Sequence, residues 1–339
     1  MTFLIEDILK YSSLSIAGLE KNTGKTECLN FILHGIKDKE VKVALTSIGV
    51  DGEDRDRLYG ISKPEIEVYT GMWFVTTEKH YREKRLTSEI VEIGEEQTAL
   101  GRLVRAKAVN TGKVLLSGPP DAEGMKKLIA DLLETEVGLV IVDGALSRLS
   151  LASPTVTEAM ILATGAAVSE NIPQLVRKTK YVYDLICLEK AEKGECEKLI
   201  PLTSGIWALD SRGNPIDLHI PSCFLFDAVA VDLFRYGRRF YIGGAVSDKF
   251  LNFLRVQQEP VEIIIRDFTR MFAGPEIFYA FLQKGHRVKV LFRTQLLAVC
   301  VNPQSPGGMV LNTEKIEAAL QKEIRVPVIN VRNWKEDAV

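Results

Sequence analysis

The 339-residue sequence predicts an α/β fold, a mainly parallel sheet flanked by helices, followed by a second α/β region. Two observations lead there. Short apolar runs that read as strands alternate with amphipathic segments that read as helices, which implies right-handed βαβ units. The first such strand also runs directly into a glycine-bounded turn that opens a helix. Apolar residues make up 46% of the chain and charged residues 26%, so a sizeable core is available and disorder is not expected.

Residues 13–17 are a short apolar run that stops at Gly18, hence a strand. Lys25–Ile36 places Cys28, Leu29, Ile32, Leu33 and Ile36 at helical spacing, and residues 41–45 read as the next strand. The stretch 53–110, with Tyr59, Tyr69, Trp73, Phe74 and Tyr81 among many charges, interrupts the rhythm and reads as an insertion flanking the site. Strand 114–117 leads to the turn and N-cap Gly118-Pro119-Pro120-Asp121 and then to a helix over 125–133. Residues 139–142 are wholly apolar, as a strand buried on both faces requires. Residues 161–168 read as a strand, although the Ala-rich 159–167 could extend a helix; 184–188 is a further strand candidate.

A boundary near residue 200 divides the chain into 1–200 and a C-terminal α/β region, 201–339, for partner or substrate recognition. Residues 199–220 carry the turn Ser211-Arg212-Gly213-Asn214-Pro215 and read as a small β excursion. Beyond it, strands are expected at Arg239–Ile242, 261–266, 288–292 and 326–331, and helices at 250–256, 274–284 and 314–322.

Composition narrows the partners. With 43 basic and 45 acidic side chains, the net charge is −2 and no basic block marks a nucleic-acid surface. Arg235-Tyr236-Gly237-Arg238-Arg239 reads as a solvated turn. Five cysteines without tight spacing argue against a disulfide framework, and no Cys/His cluster has zinc-ligand spacing. The N-terminus lacks the pattern of a signal peptide, and no stretch approaches the ~20 apolar residues of a spanning helix. A cytoplasmic protein with neither nucleic-acid nor membrane partners is expected.

The chemistry is concentrated in Gly18-Leu19-Glu20-Lys21-Asn22-Thr23-Gly24-Lys25-Thr26. A loop between strand and helix turns backbone N–H groups inward, and the helix N-terminus adds positive potential, so the turn suits phosphate. Gly24 lets the backbone approach, Lys25 reaches the β- and γ-phosphates, and the Thr26 hydroxyl ligates Mg²⁺. These features predict a P-loop NTPase. Its expected nucleotide-binding residues are Gly18, Glu20, Lys21, Asn22, Thr23, Gly24, Lys25, Thr26 and Glu27.

Asp143, at the end of the apolar run 139–142, is placed to hold Mg²⁺, with Gly144 beside it leaving room for the γ-phosphate. Asp51 and Glu53 follow the second strand, and the carboxyl ends of parallel strands are where ligands gather. Lys25, Asp51 and Asp143 are therefore the expected catalytic residues, and Thr26, Asp51 and Asp143 the expected metal ligands. Absence of Asn-Lys-x-Asp favours ATP over GTP. Thr164-Gly165 and Arg148 are weaker candidates to line the site, and 302–308 reads as an ordered Pro/Gly-rich loop after a strand.

The longer spacing Gly-x-acidic-x-x-x-Gly-Lys-Thr resembles the loop of dethiobiotin synthetase and its relatives. Taken with Val142-Asp143-Gly144-Ala145-Leu146-Ser147-Arg148, Leu162-Ala163-Thr164-Gly165-Ala166 and Val301-Asn302-Pro303-Gln304-Ser305-Pro306, it resembles the P-loop ATPase subunit of the reactivating factor of lysine 5,6-aminomutase, over most of the chain. That resemblance implies a chaperone-like ATPase. With a second reactivase subunit it would use ATP and Mg²⁺ to release damaged cobalamin from an adenosylcobalamin-dependent aminomutase. No Asp-x-His-x-x-Gly cobalamin signature occurs in the chain, so it would act on the holoenzyme rather than be one. The alternative is an ATP-dependent ligase or kinase of the dethiobiotin synthetase type, acting on a small molecule.

Overall fold

The computed structural model describes residues 2–49, 66–145, 156–226 and 233–330. The chain divides into two units, Met1–Lys180 with Thr294–Val339, and Tyr181–Arg293. The first unit opens with α1 (Thr2–Ile8), β1 (Ser13–Gly18), α2 (Lys25–Ile36), β2 (Val43–Ser47), β3 (Ile66–Val68) and β4 (Trp73–Thr77). It continues with α3 (Glu78–Glu83), β5 (Ser88–Thr98), β6 (Gly101–Ala108), β7 (Gly112–Val114), α4 (Ala122–Leu133), β8 (Leu139–Ala145), β9 (Ala159–Gly165) and the start of α5 (Ile172–Ile186). The second unit holds β10 (Glu189–Lys190), α6 (Lys193–Leu199), β11 (Ile206–Leu209), β12 (Pro215–Ile220), β13 (Arg239–Ile242), α7 (Asp248–Arg255), β14 (Glu262–Ile265), α8 (Pro275–Gln283) and β15 (Arg287–Val290). The chain then rejoins the first unit with β16 (Gln295–Asn302), α9 (Thr313–Glu323) and β17 (Val328–Asn330).

The first unit is built on a nine-stranded sheet of order β17-β16-β9-β1-β8-β2-β4-β6-β5. All neighbours from β17 to β4 pair in parallel, and only β4-β6-β5 is antiparallel, so this is a mixed, mostly parallel α/β sheet flanked by helices. Its central strands are apolar on both faces because both are covered. Leu14, Ile16, Leu139 and Ile141 pack with Cys28, Leu29, Ile32 and Ile36 of α2. Val140 and Val142 point the other way, onto Met125, Leu128, Ile129 and Leu132 of α4. Each such side chain is fully or nearly fully buried, which stabilises by about 1.5–3 kcal/mol. Asp121 caps α4, its carboxylate accepting from the Gly124 amide at 2.8 Å.

β1 lies where the winding reverses. From it the chain passes through α2 to β2 on one side, while β9, β16 and β17 extend the sheet on the other. In open α/β sheets, ligands bind outside the carboxyl ends of the strands at such a switch point.

The strand read at 161–168 forms over 159–165, with all seven residues buried between β1 and β16, and the helical alternative falls away. Several other expectations change. Residues 184–186 close α5 instead of forming a strand. The apolar pair Leu185-Ile186 belongs to a helical stripe with Leu175, Thr179 and Tyr183, which a short-run reading misses. The strand expected at 114–117 ends at Val114, in a two-stranded ribbon with β3. Within the stretch read as an insertion, the described residues 66–110 continue the main sheet: β4 pairs with β2, and Phe74 and Val75 are fully buried. The boundary expected near 200 falls inside the second unit, and β16 and β17 belong to the first sheet.

The second unit has a six-stranded sheet of order β10-β15-β14-β13-β11-β12. β13, β14 and β15 are parallel and joined through α7 and α8, and the β11–β12 hairpin is the β excursion expected from the turn at 211–215. No helix among the described residues is long and apolar enough to cross a membrane.

Candidate functional site

Residues 18–26 leave the carboxyl end of β1 between two parallel neighbours. Gly18 pairs with Ala145 of β8 and Ala163 of β9, and the Leu19 amide extends the ladder to the Ala163 carbonyl at 3.0 Å. The turn is closed from within, as Thr23 is buried and its hydroxyl donates to the Glu20 carbonyl at 3.0 Å. Two residues take left-handed backbone, Asn22 at φ 63° and Gly24 at φ 88°, so the chain turns sharply within the loop.

Gly24 is the N-cap of α2 and supplies no side-chain cap; the first amide bonded into the helix is that of Cys28, to the Gly24 carbonyl at 3.0 Å. The amides of the first turn thus stand at the positive end of a 12-residue helix. Neither glycine of the motif tolerates a side chain. A Cβ on Gly24 would come within 2.8 Å of Asn302 Cβ. One on Gly18 would overlap Thr23 Oγ1 and meet Lys25 Cγ at 2.9 Å, so the Lys25 stem lies folded back over the start of the loop. Lys25, Thr26 and Glu27 are half-buried, while Glu20, Lys21 and Asn22 are exposed.

Asp143 lies in register with Ile16 of β1 on one side and Ser47 of β2 on the other. Alternation along β8 puts its side chain on the face of Leu139 and Ile141, the face that α2 covers. The Asp143 carbonyl accepts from Ser47 Oγ at 3.2 Å and from the Ile48 amide at 3.1 Å. Its charge is felt at Cys28 in the first turn of α2. That thiol is held well above its ordinary pKa by its contact with Cys300, by burial and, more weakly, by Asp143. Strand pairing and the start of α2 thus bring the 18–26 loop and Asp143 to one place. Gly144 faces the opposite side, where a Cβ would lie 2.7 Å from Ile48 Cδ1.

Asp51, Glu53 and Arg148 lie outside the described residues. Thr164 is fully buried and shares a 2.7 Å hydrogen bond with Thr179, so it does not line the site. Gly165 is packed against the Asn302 carbonyl. Among the described residues no group of three or more His, Cys, Asp or Glu side chains is placed to hold a metal on its own.

Two features are absent from the sequence reading. Asn302, singled out only as the start of a Pro/Gly-rich loop, closes over the 18–26 turn. Its Nδ2 donates to the Asn22 carbonyl at 3.4 Å across 280 positions of sequence. The second is a buried polar group at the carboxyl ends of β2 and β4. Thr46 Oγ1 donates to the Ser117 carbonyl (3.1 Å), Thr76 Oγ1 to the Leu115 carbonyl (2.6 Å), and His80 Nδ1 lies 3.1 Å from Ser117 Oγ. The available cue was the one that drew attention to Asp143: Thr46-Ser47 and Thr76-Thr77 also end apolar runs that form parallel strands.

Comparison of the chain with protein-family models, curated proteins and solved structures returns no match.

Proposed function

We propose that this chain is a P-loop ATPase that binds ATP and Mg²⁺ on the 18–26 loop. Its task would be to reactivate an adenosylcobalamin-dependent aminomutase of the lysine 5,6-aminomutase type by releasing damaged cobalamin together with a second subunit. The observation that carries the nucleotide reading is the loop itself. A left-handed turn sits on the switch-point strand, its glycines leave no space for a Cβ, and it ends on the uncapped N-terminus of α2. The client is drawn from the likeness of the motifs at 18–26, 142–148, 162–166 and 301–306 to the reactivating factor.

In this reading the amides around Gly24 and the first turn of α2 bind phosphate oxygens. The Lys25 ammonium would neutralise them, and the Thr26 hydroxyl with the Asp143 carboxylate would hold the metal. Bound Mg-ATP would supply a transferable phosphoryl group and the divalent charge that balances it. Nucleotide state would then bias a two-state contact with the client enzyme. The buried polar group of Thr46, Thr76, His80 and Ser117 favours a second reading, a dethiobiotin synthetase-like ligase or kinase whose small acceptor lies beyond those strand ends.

Lys25→Ala tests the site. ATP affinity, measured by calorimetry with Mg²⁺, is expected to fall at least about tenfold, roughly 1.4 kcal/mol, with stability changed by no more than about 0.5 kcal/mol. Unchanged affinity in a folded variant refutes the nucleotide reading. ATP turnover separates the two roles: stimulation by the aminomutase supports the reactivase, and fast turnover with a small acceptor alone supports the ligase or kinase.

A further inference from the structure

Cys28 and Cys300 meet beneath the candidate loop. One is in the first turn of α2, four residues after Gly24; the other is in β16, two residues before Asn302. Their sulfurs are 3.2 Å apart, and both residues are almost wholly removed from solvent, at 0% and 1% exposure. Both are free thiols. Core packing alone does not require two sulfurs here, because Leu29, Ile32, Ile161 and Ala298 fill the same cluster with carbon. A disulfide bond is about 2.05 Å long, so closure asks each sulfur to move by only about 0.6 Å, within the reach of a small side-chain rotation.

We propose that Cys28 and Cys300 are a redox-modification site, an internal dithiol that a small peroxide converts to a disulfide joining the first turn of α2 to β16. The chemistry balances in two steps. One thiol, as its thiolate, attacks an oxygen of hydrogen peroxide, breaks the O–O bond and becomes a sulfenic acid, and the departing hydroxide takes the thiol proton to leave as water. The second sulfur then attacks the sulfenic sulfur, the S–S bond forms, and the sulfenic hydroxyl departs with the second thiol proton as another water. Two thiols have been oxidised and one peroxide reduced to two waters.

Burial shapes the reactivity. Both sulfurs are almost wholly removed from solvent, so bulky or charged oxidants do not reach the pair. A small neutral oxidant would enter during local opening of the structure around the pair. Once closed, the bond fixes the start of α2 against the strand that carries Asn302, and Asn302 already touches the loop at Asn22 and Gly24. None of this depends on nucleotide binding.

The test uses the full wild-type chain. Protein is exposed to graded hydrogen peroxide, unfolded in iodoacetamide to alkylate every remaining thiol, digested and mapped by mass spectrometry. The expected result is joint loss of alkylated Cys28 and Cys300, a linked peptide containing both with two hydrogens missing, and full recovery after dithiothreitol. Two outcomes overturn the proposal. In one, both thiols remain alkylatable at peroxide doses that oxidise the half-exposed Cys187. In the other, Cys28 proceeds to sulfinic acid while Cys300 stays reduced. In the disulfide form, amide hydrogen exchange across 24–28 is expected to slow; exchange equal to that of the reduced form overturns the tether.

Discussion

Replacing Gly24 with alanine probes the closest backbone approach in the candidate site. Two costs add. Gly24 has φ 88°, and placing an L-residue in left-handed backbone costs about 1–2 kcal/mol. The new methyl would also lie 2.8 Å from Asn302 Cβ, so strand and loop must separate, and over-packing of this kind costs about 1–3 kcal/mol. Together they predict a loss of about 2–5 kcal/mol from the first unit. For a domain of this size, each kcal/mol lowers Tm by about 2–4 °C, so calorimetry should find that unit's transition about 4–20 °C lower. The two terms can be separated, because Asn302→Gly removes the opposing Cβ and leaves φ untouched. In that background Gly24→Ala should cost only the backbone term. A double-mutant cycle should therefore show a coupling of about 1–3 kcal/mol between the two positions. Coupling below about 0.5 kcal/mol would refute the close approach, and a single-mutant cost below about 1 kcal/mol would refute the left-handed turn as well.

Three further outcomes are expected. Asp143→Asn should weaken ATP binding more with Mg²⁺ than with EDTA, as read by parallel titrations; equal losses would remove Asp143 from the metal site. Burial pushes the Cys223 thiol up to about 12, above the ~8.5 of an unfolded chain. Its contribution to stability is therefore full below about pH 8.5 and drains away as pH rises toward 12, at most about 1.4 kcal/mol per pH unit. Urea midpoints from pH 8 to 11 should fall less steeply for Cys223→Ala than for the wild type, and identical slopes would contradict this. In the second unit, Arg239 donates to Glu262 at 2.9 Å and to Glu195 at 2.5 Å, carboxylates only 13% and 12% exposed. Arg239→Met leaves Glu195 without this partner and Glu262 with Lys289 alone, 3.3 Å away, and should cost about 2–4 kcal/mol in urea unfolding; a loss under about 1 kcal/mol would mean that Lys289 and solvent suffice.

The parts of this fold that were legible in the sequence are those whose physics is local. α2 follows from the spacing of Cys28, Leu29, Ile32, Leu33 and Ile36, and β8 from the unbroken apolar run 139–142 leading to Asp143. The turn at 18–26 could be read because glycine, lysine and threonine each serve a different need within nine consecutive positions. What stayed hidden depends on distant pairing. Trp73–Thr77 looks like part of an insertion until its register with Ala44 and Leu45 is known. α5 is concealed because its buried stripe, Leu175, Thr179, Tyr183 and Ile186, includes a threonine whose hydroxyl is satisfied by Thr164. Asn302 gave no sign of touching the loop, since the contact is created by β16 pairing with β9.

That pairing also sets an order of events during synthesis. The 18–26 loop leaves the ribosome long before the strand that walls it off, which follows the whole second unit. Until β16 arrives, β9 is the bare rim of a growing sheet, seven residues long and wholly apolar apart from Thr164 and Gly165. A rim of that kind invites pairing with another chain. A nascent or truncated chain that stops at Arg293 would therefore carry its adhesive edge beside its half-built loop, and completion of the loop's wall and the capping of that edge are one and the same step.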